Sequence, residues 1–236
     1  MQALILAGGK GTRLLPYTAK VPKPLMPIGD MPILEILIKQ LKNQGFDSIL
    51  LAVGYLNHMI EAYFGDGSKY GIKIKYSLEK KPLGTAGPIG LLIDELEEDF
   101  IVLNGDLLTD VSFSKIFVEH KKKKADATIS SYQREVNVDF GVLEINKESL
   151  LQDYKEKPVL DYLVSMGINV FNKNSIIKLI KPNEYLDIPD LMMLLIKNKQ
   201  KVFCFSQKCE WLDIGRVEDY SRAVKSFEKN KKIYLP

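Results

Sequence analysis

Short, continuously apolar runs alternate with stretches of helical periodicity along this chain. Ala3-Leu4-Ile5-Leu6, Ile49 to Val53 and Phe100-Ile101-Val102-Leu103 are uninterrupted, and a glycine follows closely after each: Gly8, Gly54 and Gly105. Runs of that length and composition predict strands buried on both faces. Between them, Ile33 to Gln44 carries apolar residues at 33, 34, 36, 37 and 41 and meets Gly45, and Asn57 to Phe64 meets Gly65. Both segments predict helices stopped by glycine. Ile72-Lys73-Ile74-Lys75-Tyr76 alternates strictly, as a strand with one wet face does. Pro88 fits the first turn of a helix running to about Leu96. Strand, helix, strand, helix in this order predicts an α/β fold, a mostly parallel central sheet covered on both faces.

The second half is less regular. Ala127 to Tyr132, Gly141 to Ile145, Leu163 to Phe171 and Val202 to Phe205 predict strands. Ser175 to Lys181, Pro189 to Lys197 and Arg216 to Lys229 predict helices. No internal repeat, low-complexity tract or linker interrupts the chain, so one continuous domain over residues 1–236 is expected.

Composition narrows the classes. Of 236 residues, 46% are hydrophobic and 27% charged, which excludes a collagen, a disulfide miniprotein and a largely disordered chain. The 33 basic and 30 acidic residues leave a net charge of +3, short of the basic excess of a nucleic-acid binder, so no nucleic-acid partner is expected. No segment approaches the ~18 apolar residues of a membrane helix, so no membrane partner is expected either. Ala3 to Ala7 lacks the basic flank and length of an export signal, and a cytoplasmic location follows as the expectation. Cys204 and Cys209 have the wrong spacing for a CxxC motif and read as free thiols. With only His58 and His120 besides, there is little material for a zinc site.

Candidate chemistry concentrates near the amino terminus. The first strand runs into Ala7-Gly8-Gly9-Lys10-Gly11-Thr12-Arg13. Glycines permit a tight turn and bring backbone N–H groups close to an anion. The loop is not a Walker A loop, because Arg13 stands where the second glycine would be, nor a dinucleotide fingerprint, because residue 14 is leucine. It still places three glycines and an arginine past the carboxyl end of a strand, where open α/β sheets bind ligands. Lys23 follows between Pro22 and Pro24 in a stiff segment. It reads either as a solvated lysine or, with Arg13, as a cationic clamp on phosphates.

The run LILAGGKGTRLLPYTAKVPKPLMPIGDMPILE over residues 4–35 resembles the signature of the sugar-1-phosphate nucleotidyltransferases. LGTAGPI at 83–89, VLNGD at 102–106, FGV at 140–142, EKP at 156–158, GIN at 167–169 and WLDIG at 211–215 fit the same family in the same order. The resemblance implies a Rossmann-like α/β/α sandwich. It also implies attack by a sugar-phosphate oxygen on the α-phosphorus of an NTP, giving an NDP-sugar and pyrophosphate. On this resemblance the first half binds the nucleotide and the second the sugar phosphate.

The resemblance assigns roles residue by residue. Arg13 and Lys23 are the catalytic cations, with Arg13 on the β- and γ-phosphates and Lys23 beside the α-phosphate and the sugar phosphate. Ala7, Gly8, Gly9, Gly11 and Thr12 form the phosphate cradle. Asp106 and Asp213 hold Mg²⁺, a hard cation suited to carboxylate and phosphate oxygens; in isolation each reads equally as a turn-capping aspartate. Glu156 and Lys157 bind the sugar hydroxyls and phosphate, with Gly141 and Asn169 beside them. Glu79, Gly84 and Thr85 face the base. A carboxylate accepts from two adjacent donors, and guanine offers N1–H beside N2–H₂, so Glu79 leans the expectation toward GTP. The LGTAGPI segment also resembles guanylyltransferases acting on mannose 1-phosphate, with UTP or dTTP as the alternative.

Two departures stand out. Many relatives carry a basic residue where this chain has Leu15. Many also have a carboxyl-terminal β-helix, which is expected to be absent here. The lysine-rich stretches at 121–124 and 225–232 read as solvated helix ends. An oligomer is left open. Two rivals remain: a catalytically silent NDP-sugar sensor on the same fold, and a cytidylyl or molybdopterin-type transferase with a non-sugar acceptor.

Overall fold

The computed structural model describes residues 1–235. In chain order the strands and helices are β1 (Gln2–Ala7), β2 (Pro27–Ile28), β3 (Met31–Pro32), α1 (Ile33–Asn43), β4 (Ser48–Val53), α2 (Asn57–Phe64), β5 (Lys73–Leu78) and α3 (Gly87–Leu92). They continue with β6 (Asp99–Asn104), β7 (Leu107–Thr109), α4 (Phe113–Lys123), β8 (Ala127–Asn137), β9 (Val142–Ile145), β10 (Leu151–Lys155), β11 (Val159–Asn172), α5 (Lys173–Ile176), α6 (Ile188–Lys197), β12 (Val202–Ser206), β13 (Trp211–Asp213) and α7 (Val217–Tyr234).

Seven strands form the central sheet in the order β12-β8-β11-β6-β1-β4-β5. All neighbours run parallel except β11, which is antiparallel to both β6 and β8. The apolar runs explain the middle of the sheet, because both faces of each central strand are covered. Ala3, Ile5 and Ala7 of β1 pack with Leu34, Leu37 and Leu41 of α1 on one side. Leu4 packs with Leu92, Phe171 and Leu195 on the other. The same alternation splits Ile49, Leu51 and Val53 from Leu50 and Ala52, and Ile101 and Leu103 from Phe100 and Val102. This is the expected mostly parallel α/β/α sandwich.

The register of the middle strands fixes where the loops emerge. Ala7 of β1 lies opposite Val53 of β4, Val53 lies opposite Leu78 of β5, and Leu6 lies opposite Asn104 of β6. Four parallel strands therefore end level, and the segments beginning Gly8, Gly54, Glu79 and Gly105 leave from one edge. A third apolar cluster lies beneath the first of these loops. Leu14, Ile28 and Ile33 meet Leu108, Ile214, Phe227 and Tyr234 there. The carboxyl-terminal helix α7 is thereby packed under the glycine-rich turn. Gln40 of α1 ties it down by donating to the carbonyls of Tyr234 at 2.8 Å and Thr109 at 2.6 Å.

Several boundaries differ from the sequence expectation for local reasons. Helix α3 stops at Leu92 rather than about Leu96, because Gln2 captures the following turn: its amide donates to the Glu95 carbonyl and accepts from Glu97 N–H. The helix expected over 175–181 begins at Lys173 and closes at Ile176, its start set by the Asn172 side chain accepting from Asn174 N–H. Helix α4 was foreshadowed only by its lysine-rich end. Its core stripe of Phe113, Ile116, Phe117 and His120 follows a Ser112 cap that accepts from Lys115 N–H. Strands β2, β3, β7, β10 and β13 are additional, and β8 and β11 run on beyond the expected limits.

Replacing Phe227 by Ala empties the third cluster, where this ring is 1% exposed and stacks on Tyr234. The expected cost is about 3 kcal/mol in the free energy of urea unfolding.

Candidate functional site

A cleft of about 780 Å³ lies at the carboxyl edge of the middle strands. Its floor is the turn after β1. A Cβ on Gly8 would stand 2.5 Å from Glu79 Oε1, so a larger residue there would displace the tip of that side chain. Gly54 faces Gly8 across the sheet edge, where a Cβ would stand 2.7 Å from the Gly8 carbonyl oxygen. Gly11 has φ +62 and caps a single 3-10 turn over Thr12–Leu14, held by Leu14 N–H and by the Thr18 hydroxyl, both donating to the Gly11 carbonyl. Leu14 is fully buried and pins that turn, which leaves Arg13 exposed at the cleft wall.

Charges of both signs meet here. Lys23 is buried and ion-paired with Asp106 Oδ2. The second oxygen, Asp106 Oδ1, is buried without a hydrogen-bond partner among the described residues. Asp213 is brought alongside by the short ladder of β13 on β7, which sets Asp213 opposite Leu107, and by Ile214 N–H donating to the Asp106 carbonyl at 3.1 Å. Arg13 reaches the same corner, its guanidinium 3.5 Å from where a Gly215 Cβ would be. Although open to solvent on one side, Asp213 has its carboxyl pushed above the usual range. Burial among protein atoms is the main cause and repulsion from Asp106 the next, partly offset by Lys23 and Arg13.

The segment after β5 forms another wall. Glu79 lines the cleft against Gly8, and burial raises its carboxyl, with the Leu83 backbone N–H working in the opposite direction. Gly84 and Thr85 also line it, locked from behind by the chain entering α6. Thr85 donates N–H and hydroxyl to Asp187 Oδ1, at 2.9 and 3.1 Å, and its hydroxyl accepts from Ile188 N–H. The hydroxyl is thus committed to the scaffold, and Thr85 presents its remaining surface to the cleft.

Ala7, Gly8, Gly9, Gly11, Thr12, Arg13, Lys23, Glu79, Gly84, Thr85 and Asp106 all line this one cleft. Asp213 adjoins it through Asp106. The residues expected on the sugar side lie apart from the lining. Gly141, Glu156 and Lys157 stand on the arm formed by β9, β10 and the outer half of β11, whose residues are mostly exposed. There the Tyr154 hydroxyl occupies the space over Gly141 and donates to Glu156 at 3.0 Å. Asn169 lies in the sheet opposite Val102, 1% exposed, with its Oδ1 unpartnered among the described residues. Its motif reaches the cleft through Gly167, whose missing Cβ makes room for Asn104.

Sequence reasoning missed several lining residues. Lys80 and Lys81, the neighbours of Glu79, both line the cleft, as do Lys10, Asn104, Tyr55 and Tyr185. Only their position at or just after strand ends could have signalled the first five. Tyr185 comes from a distant segment and carried no signal. His120 is buried against Thr128 and Asp99, His58 is exposed, and both cysteines are free.

Comparisons with known proteins show the family and the fold. The family described as nucleotidyl transferase matches residues 2–230. The chain is 40% identical over 158 residues to the D-glycero-alpha-D-manno-heptose 1-phosphate guanylyltransferase of Campylobacter jejuni, covering 66% of this chain and 69% of that protein. It is 35% identical over 182 residues to the UTP--glucose-1-phosphate uridylyltransferase of Synechocystis, covering 71% of this chain but only 47% of that longer protein. Its fold matches the crystal structure of HddC from Yersinia pseudotuberculosis complexed with GMP-PN, with a TM-score of 0.74, 28% identity and coverage of 96% and 99% of the two chains.

The raised carboxyl of Asp213 has a consequence for stability. Between the ordinary aspartate pKa and its own, the folded state binds more protons than the unfolded chain, so stability falls as pH rises through that window. Asp213→Asn is therefore expected to raise the thermal midpoint at neutral pH. The gain should vanish below the ordinary aspartate pKa, as followed by calorimetry across pH.

Proposed function

Because the chain belongs to the nucleotidyl transferase family, and within it to the sugar-1-phosphate nucleotidyltransferases, we propose that it transfers a guanylyl group from GTP to a hexose or heptose 1-phosphate. An oxygen of the sugar phosphate attacks the α-phosphorus. A new P–O–P bond forms, the bond to the β-phosphate oxygen breaks, and pyrophosphate leaves with the electron pair. Both reactants are anions, so the work is alignment and charge neutralisation, and no nucleophilic side chain is needed. The convergence of Arg13, Lys23, Asp106 and Asp213 beside a glycine turn is the observation that carries this reading.

Arg13 pairs with the β- and γ-phosphates and with the departing pyrophosphate. The N–H groups of Gly8, Gly9, Gly11 and Thr12 face the same anion, with Ala7 at its base. Lys23 exchanges Asp106 for the α-phosphate and the incoming sugar phosphate. Mg²⁺ fits Asp106 and Asp213: a buried carboxylate oxygen lacks a partner, two carboxylates repel, and both donors are hard oxygens. Bound there, the ion would neutralise charge on the triphosphate. Glu79, beside Gly84 and Thr85, accepts from guanine N1–H and N2–H₂. Gly141, Glu156, Lys157 and Asn169 serve the sugar phosphate from the second half of a single catalytic unit.

No helix of the described residues is long and apolar enough to cross a membrane. We assign the reaction to the cytoplasm, where the NTP pool is. UTP is the second reading, favoured by the likeness to the Synechocystis uridylyltransferase.

Pyrophosphate release is the direct test, with each NTP, a panel of sugar 1-phosphates and Mg²⁺. Release with GTP and a hexose or heptose phosphate is expected, and none with any pair would overturn the proposal. Arg13→Ala should lower kcat by about a hundredfold or more in the same assay, as loss of a charge-stabilising donor does elsewhere. Glu79→Gln replaces one acceptor by a donor. It matches the donor and acceptor edge of uracil, so the ratio of kcat/KM for GTP over UTP should fall by about tenfold or more.

A further inference from the structure

Tyr185 is the one residue of the cleft lining that comes from the segment before α6, and the roles assigned above leave it unused. It is 65% exposed, as a loop tyrosine often is, but it is not free to move. Its hydroxyl donates to Asp187 Oδ2 at 2.7 Å, while Asp187 Oδ1 is held by the N–H and hydroxyl of Thr85. The next residue is clamped on both sides of its peptide: Leu186 N–H donates to the Leu83 carbonyl at 3.0 Å, and the Leu186 carbonyl accepts from Ala86 and Gly87 at 2.8 and 3.0 Å. Gly84 has φ +76 and lies so close that a Cβ would stand 2.5 Å from that carbonyl oxygen. The ring is therefore anchored at its tip and its base to the wall that carries Glu79, Gly84 and Thr85, and it lines the cleft.

We propose that Tyr185 is a nucleobase contact, a preformed aromatic platform against which the flat base of the bound NTP packs. A ring already immobilised loses little freedom when a flat partner arrives, so the contact contributes to affinity. Stacking of a base on an aromatic ring tolerates any base, because each has a π-face. Tyr185 thus supplies affinity for NTPs in general, whereas the hydrogen-bonding edge of Glu79 selects among them. The inference rests on the reading of the cleft as a nucleotide site.

The test is calorimetric binding of GTP, UTP, dTTP and inorganic triphosphate, each with Mg²⁺, to the wild-type chain, Tyr185→Ala and Tyr185→Phe. Thermal melts of each variant report folding. Tyr185→Ala should weaken every NTP by about tenfold and leave inorganic triphosphate unchanged. Tyr185→Phe keeps the ring and loses only the anchor, so its NTP affinity should stay within about threefold of wild type. Unchanged NTP affinity in Tyr185→Ala overturns the inference. So does an equal loss for inorganic triphosphate, or a loss in Tyr185→Phe as large as in Tyr185→Ala, which would mark the hydroxyl as scaffold only. Wild-type binding of an NTP without pyrophosphate release overturns the proposed reaction and leaves the contact to be scored by binding. No NTP binding by the wild type overturns both.

Discussion

Strand β1 is hydrogen-bonded in parallel register to β4 on one side and β6 on the other, and everything at the cleft depends on that alignment. Each residue of β1 faces one of two apolar layers. A slip of one position would turn Ile5 from the α1 side toward the α3 and α6 side and Leu4 the other way. Burial on both faces thus fixes the register, and the register makes four loops leave the sheet at one level. Gly8 meets Gly54 and Glu79, and Gly105 delivers Asp106 next to them, without any loop needing to be rigid by itself.

The electrostatics are bought with packing elsewhere. Two carboxylates are crowded together, one with an oxygen that finds no partner among the described residues, and Lys23 and Arg13 partly offset their repulsion. Such an arrangement lowers stability in the empty state. Its supports are apolar and lie underneath. Leu14 anchors the arginine turn, Ile214 anchors the segment carrying Asp213, and Phe227 and Tyr234 of α7 close the cluster that both share. The carboxyl-terminal helix, though remote in sequence, is thereby part of what keeps the charged corner in place.

How much could be read from the chain alone varied with burial. Uninterrupted apolar runs at 3–6, 49–53 and 100–103 make sense only when covered on both faces, so the middle of the sheet and the level of its loops were legible. The outer halves of β8 and β11 were not, because residues 133–137 and 159–162 expose both faces and carry no alternating pattern to mark the strand. Arg13, Lys23 and Asp106 could be suspected from glycines, prolines and a strand end. Asp213 needed the family resemblance, since nothing local shows that β13 pairs with β7. Gly141, Glu156 and Lys157 also came from the resemblance alone, and they stand on an arm outside the lining of the cleft. Tyr185 was invisible in the sequence because its placement depends on the contacts that the next two residues, Leu186 and Asp187, make with Leu83 through Gly87, a hundred residues away.

The contact between Gly8 and Glu79 ties two traits that could otherwise drift separately. The acidic side chain fills the volume that any larger residue at position 8 would claim. A lineage that shortened residue 79 would open that volume, and position 8 would then be free to acquire a methyl group. The side-chain volume at residue 79 and the tightness of the glycine turn are thus expected to coevolve as a pair of sizes rather than as independent sites.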